Sequence, residues 1–332
     1  MSALEPAAAP AAALAALQDA LSDPLVRDLA WLLSSPPLLR AQPPSGELAD
    51  VFETADEAAA TAAWLLELDR DPSHLRQAIA ATRIVRLGRY AECLLGYFLQ
   101  CGPAARLVAA NVALRLAGRT IGECDFLVET ATGRRLHWEL AVKCYLHAGG
   151  DRGELADYVG PNLQDRFDLK LAHLLGHQLP LSAREEFAAL GHAGPWRAQM
   201  FVKGWLFYRW RGAAPTARAV DPAHLRGFWV TRSEWLAFCA DRPGALRVVL
   251  PRLAWLAPRP PVADEEVDAL GLSSPVVLLQ RLTQQTGPTM VAAFERGAGE
   301  TGRWRETERG FVVPDDWPEQ AAAFAAFVLG AA

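Results

Sequence analysis

Gly122-Glu123-Cys124-Asp125-Phe126-Leu127-Val128, followed after a turn by His137-Trp138-Glu139-Leu140-Ala141-Val142-Lys143, decides how this chain is read. Each half alternates polar and apolar residues, the period of a half-buried strand. Residues two or four apart in a strand point to one face, so Glu123 and Asp125 are expected to share a face, and Glu139 and Lys143 are expected to share a face. Thr130-Ala131-Thr132-Gly133-Arg134-Arg135 between them has the composition of a hairpin turn. Two carboxylate-bearing strands with a lysine nearby could hold a hard cation such as Mg²⁺ or Mn²⁺ and activate a water.

Around this pair the pattern is mixed. Leu25–Leu33 reads as an amphipathic helix stopped by Ser34-Ser35-Pro36-Pro37, and residues 38–48, rich in Pro, as an extended linker. Thr54–Leu68 and Arg86–Leu99 carry helical apolar spacing, the second with Arg86, Arg89 and Glu92 on one side. Arg106–Arg115, Thr120–Glu129 and Leu136–His147 read as three strands. Asn162 is expected to cap a helix from Leu163 to Leu175 that carries Gln164, and Ser182–Glu185 forms a capping-box pattern. Gln199–Trp210 is a long aromatic strand. Beyond it come strands at Gly227–Val230, Leu246–Leu256, Met290–Phe294 and Gly310–Val313, with helices after Ser233, Ser274 and Trp317.

The 332 residues are 51% hydrophobic and 21% charged, enough for a sizeable core. No apolar run reaches about 18 residues, so a membrane span is not expected. The Ala/Pro-rich start lacks a basic segment ahead of its apolar part and reads as a tail, not a signal peptide. Five cysteines without a Cys-x-x-Cys pair disfavour a disulfide framework or a cysteine zinc site, and fit a reducing cytoplasm. His137 and His147, at the ends of the third strand, read as hydrogen-bonded surface groups. The net charge of -5 argues weakly against nucleic acid, yet Ala81–Thr120 holds six arginines and one acid, Glu92. Such a basic stretch suits phosphate contact. Nucleotide-binding loops and the serine-hydrolase elbow are lacking.

The order of helix with Glu92, strand, strand with Asp125, strand with Glu139 and Lys143, helix and strand resembles the PD-(D/E)XK nuclease superfamily over about Ile84–Trp210. The words Arg86–Glu92, Gly122–Phe126, His137–Leu146, Gly160–Arg166 and Arg252–Pro258 also resemble a narrower bacterial family catalogued as a domain of unknown function. The resemblance implies an α/β (α+β), restriction-endonuclease-like mixed sheet flanked by helices. It divides the chain into a tail at 1–24, a helical region at 25–82, a nuclease-like core at 83–211 and an α+β extension at 223–332.

It also implies roles. Asp125 would be the central metal ligand and Glu139 the second carboxylate. Lys143 would orient or deprotonate the water. Glu92 would complete the metal shell, with Glu123 as a further ligand. Gln164, Arg86 and Arg89 would contact substrate. The usual acid two residues before the lysine is replaced by Ala141, with Glu139 four before it. Two functions follow: a Mg²⁺- or Mn²⁺-dependent nuclease acting on DNA or RNA, or an inactive nuclease-like module that binds nucleic acid or a protein. The oligomeric state is left open.

Overall fold

The computed structural model describes residues 14, 16–82, 84–150, 153–192, 194–213, 215–297 and 302–327. Most of the tail expected at 1–24 lies outside them up to residue 13. The chain is mixed α+β. It divides into two compact units, each discontinuous in sequence: residues 1–142 with 171–203, and residues 143–170 with 204–332.

The first unit opens with helix α1 (Pro24–Ser34). Asp23 caps it by accepting from the Leu25 and Val26 N–H groups, and Pro24 occupies the first turn, where its missing N–H costs nothing. Residues 38–48 are not a linker. Leu38 and Leu39 are fully buried, and β1 (Glu47–Leu48) pairs in parallel with the strand at 197–209. Prolines suit such an edge because they need donate nothing to a ladder. Helix α2 (Ala55–Arg70) is capped by Thr54, and α3 (Ser73–Ala80) follows. Helix α4 (Leu87–Cys101) buries Tyr90, Ala91, Leu94, Leu95 and Phe98 at helical spacing. The Tyr90 hydroxyl donates to Asp28 of α1 at 2.7 Å.

Strands β2 (Arg106–Leu116) and β3 (Arg119–Glu129) form a hairpin. Ala117 and Gly118 both have positive φ (49° and 79°), the geometry that a two-residue turn between twisted strands requires. Strand β4 (Arg135–His147) runs antiparallel to β3 and passes from the first unit into the second, where β5 (Tyr158–Val159) pairs with its end.

The helix expected from Leu163 begins later. Residues 161–164 are turn and bend, and α5 covers Phe167–His173. Leu163 has a φ of 54°, a left-handed conformation incompatible with a helical start. Gln164 therefore lies in an exposed turn, off the helix. A π-helical turn, Leu174–Gln178, and a tight turn, Leu179–Ala183, lead to α6 (Glu185–Ala188). The expected capping box is not made: Arg184 stands at the cap position, and no side chain caps the helix.

Strand β6 (Arg197–Arg209) also passes through both units. In the second unit its later half pairs in parallel with β7 (Leu225–Thr231). Helix α7 covers Trp235–Ala240 and β8 covers Leu246–Val249. The long strand expected to Leu256 stops there because Pro251 has no N–H for a ladder, and a turn at Arg252–Ala254 follows. Helix α8 (Pro275–Leu282), strands β9 (Thr289–Arg296) and β10 (Trp304–Val313), and helix α9 (Trp317–Ala326) complete the unit.

Strand β10 is parallel to β7 and antiparallel to β9, which pairs with β8. Trp235 and Phe238 of α7 and Leu278 and Leu282 of α8 pack with Val230, Val291 and Val312 of this sheet. The Arg252–Pro258 word acquires a structural role here. The carbonyls of Trp255, Leu256 and Ala257 accept from the guanidinium of fully buried Arg309, whose Nε reaches Glu306 at 2.6 Å. A buried charge is tolerated when it is satisfied in this way.

Candidate functional site

The β3–β4 ladder is regular from Glu129↔Arg135 to Phe126↔Trp138 and breaks at the next position. There the Leu140 N–H donates to Oδ2 of Asp125 at 2.9 Å instead of to a β3 carbonyl. The Asp125 N–H points at Oε1 of Glu139, 3.4 Å away. Each carboxylate thus stands in for a backbone acceptor on the other strand, and buried N–H groups require such a substitute once a ladder opens.

The neighbouring strand breaks at the same level. Asn111, with φ 52°, lies between the pairs Ala110↔Phe126 and Val112↔Cys124. Alternation fails there. Phe126 lines a pocket of about 210 Å³ with Arg89, Glu92 and Asn111, whereas Cys124 joins Leu114, Leu181 and Phe187 in a separate apolar cluster. Glu123 and Asp125, expected to share a face, have different surroundings here. Glu123 is exposed, while Asp125 is turned into the β4 backbone.

Glu139 is fully buried. Its Oε1 lies 2.7 Å from Nε2 of His137, and its Oε2 accepts from the Gln178 amide at 2.5 Å. His137 and Glu139 are two apart on β4 and share a face. Nδ1 of His137 is 3.0 Å from the Ser182 hydroxyl. The π turn lengthens one helical turn by a residue, which is how Gln178 comes to face β4. Desolvation of a carboxylate is costly, and these bonds offset it. Cys124 is also fully buried; burial first, and then the charges of Glu139, Asp125 and Glu123, push its thiol up to about 12.

The remaining sequence-derived residues take other partners. Glu92 pairs with Arg89 at 2.7 Å, and Arg89 also reaches Asn111 at 3.3 Å. That pairing, Glu92 foremost, raises the pKa of Arg89. Arg86 is exposed. In the second unit Lys143 pairs with Asp165 at 2.6 Å, and the Tyr145 hydroxyl donates to the same oxygen at 3.2 Å. Gly160 allows this loop to close, since a Cβ there would lie 2.1 Å from Asp165 Oδ1.

Asp125 and Glu139 are therefore brought together, and Glu92 is engaged with Arg89. His137 and His147 are buried, not surface groups. His137, Gln178, Ser182 and Cys124 are the additions that sequence reading missed. Only the His137-x-Glu139 spacing signalled any of them; Gln178 and Ser182 come from a distant turn whose geometry no local pattern announces.

Residues 27–313 match the sequence profile of a domain of unknown function, DUF1853. The chain belongs to this family. No curated protein and no solved structure matches it. The DUF1853 match spans both units, so the clasp at Asp125 and Glu139 and the Lys143–Asp165 pair both fall within the family's domain. Among the described residues no helix of this DUF1853 chain is long and apolar enough to cross a membrane.

Proposed function

We propose that this chain is a restriction-endonuclease-like module that binds nucleic acid and does not hydrolyse it. One observation carries the reading: Glu139, the carboxylate a metal-activated water would need, has no solvent exposure, and both its oxygens are engaged by His137, Gln178 and the Asp125 N–H. A hydrolytic metal keeps an open position that substrate can reach. Replacement of the usual acid by Ala141 points the same way. The ligand class is supported by Arg86, Arg115 and Arg119, all exposed in the first unit. None of the three has an acidic partner within ion-pair distance among the described residues. Guanidinium groups left open to solvent are suited to phosphate.

The test takes the full chain and a panel of single- and double-stranded DNA and RNA, with Mg²⁺ or Mn²⁺ present. Binding that weakens steeply with salt, without divalent-dependent cleavage, is expected. Cleavage that is lost in both Asp125→Ala and Lys143→Ala would instead establish the metal-dependent nuclease. Absence of both binding and cleavage across the panel would reject nucleic acid as the ligand.

A further inference from the structure

We propose that Cys124, His137 and Glu139 form a zinc site in the first unit. One ligand atom from each, the Cys124 Sγ, a His137 ring nitrogen and a Glu139 oxygen, lies within 4.8 Å of the other two, and all three residues are buried. Thiolate, imidazole and carboxylate together are a donor set for a borderline-soft divalent ion; Mg²⁺ and Ca²⁺ take oxygen alone. Zinc bonds of about 2.0–2.3 Å place tetrahedral ligands about 3.3–3.8 Å apart, so the triad needs adjustments of about 1 Å. The His137–Glu139 contact at 2.7 Å would open slightly, and Cys124 would close in.

The surroundings carry the argument beyond the triad. A metal-bound histidine normally has its second nitrogen held by a hydrogen bond, and Nδ1 of His137 is held by Ser182 at 3.0 Å. A metal-bound carboxylate normally has its free oxygen held as well, and Gln178 holds Oε2 of Glu139 at 2.5 Å. Both supports come from the 174–183 turns. Binding releases the Cys124 thiol proton; the imidazole of His137 binds neutral through the nitrogen that faces Glu139, with its own proton on the nitrogen that faces Ser182. Leu181 and Phe187 pack around Cys124, and with three protein donors a water would take the fourth position on the ion. Such an ion would pin the strands where the β3–β4 ladder has opened. This inference is independent of nucleic-acid binding.

The experiment uses the purified full chain, stripped by a chelator and titrated with Zn²⁺ alone or Co²⁺ alone. One equivalent should bind, and the cobalt form should show a thiolate charge-transfer band in the near ultraviolet. Cys124→Ser, the smallest available change, should abolish that band while circular dichroism stays native. Ser182→Ala should weaken zinc binding by about tenfold while leaving every ligand in place. Failure of the wild-type chain to take up one equivalent would overturn the proposal. So would a cobalt spectrum without the thiolate band, or one unchanged in Cys124→Ser.

Discussion

The imidazole of His137 and the carboxylate of Glu139 meet at 2.7 Å with neither side chain exposed to solvent. Removing one member of such a pair leaves the other buried without its partner. Glu139→Ala should therefore destabilise the fold by about 3–5 kcal/mol, read as a lower urea midpoint. Glu139→Gln, which keeps the shape and an acceptor oxygen, should lose clearly less. Equal losses in the two variants would mean that packing, not the polar network, holds Glu139 in place.

Asp125 works through the backbone of β4. Asp125→Ala leaves the Leu140 N–H without its acceptor and should cost about 1–3 kcal/mol. Hydrogen exchange at Leu140 should accelerate, whereas exchange at Trp138, inside the regular ladder, should change less. An unaltered Leu140 rate would show that the side chain is not its acceptor in solution.

Gly204 sits on β6 with a φ of 142°, and a Cβ there would lie 1.7 Å from the Lys143 carbonyl oxygen. No side-chain rotation relieves a clash with backbone. Gly204→Ala should destabilise by more than about 3 kcal/mol, with insoluble expression as the extreme outcome. Gly150→Ala meets nothing within 4 Å and is the matched control. Normal thermal stability of the Gly204 variant would refute the close approach of the two strands.

Burial lowers the pKa of His147 and His224 below the ordinary value of 6.5, in each case chiefly by desolvation. The unfolded chain then takes up these protons near pH 6.5 and the folded chain only at lower pH. In that window the unfolded state binds more protons, so stability falls as pH drops through about 6.5 and levels off below the folded values. The urea midpoint should decrease from pH 7.5 to pH 5.5, and His147→Phe should remove part of the decrease. A slope untouched by the variant would assign the effect to other groups.

Arg115 and Arg119 flank the β2–β3 turn, where Leu116 pairs with Arg119 and Arg115 with Thr120. If they contact phosphate, the double alanine variant should lower the slope of log affinity against log salt by up to about 2. The variant should leave stability within about 0.5 kcal/mol, as an exposed surface change does. Equal affinity and slope for the variant and the wild type would remove the hairpin from the interface.

Much of this protein is written locally. Apolar spacing places α1, α2 and α4 to within a few residues, and strand patterning places β2, β3, β4 and β6. In the helices one period runs the length of the element, so a single face is buried; β4 and β6, buried on both faces, are marked by their apolar length and aromatic content. The failures have physical causes as well. Residues 38–48 look like a linker because prolines hide a segment whose leucines are buried. Leu163 cannot start a helix because its backbone is left-handed, which composition does not record.

The sequence by itself determined the strand pair, the acids upon it and membership of DUF1853. Only the tertiary structure decided what those acids do. Asp125 clasps Leu140, Glu139 is sealed by His137 and Gln178, and Lys143 turns to Asp165. Periodicity fixes which face a residue takes while the pleat continues. The break at Asn111 and Asp125, and the π turn that delivers Gln178, change the partners without altering the local pattern of either strand.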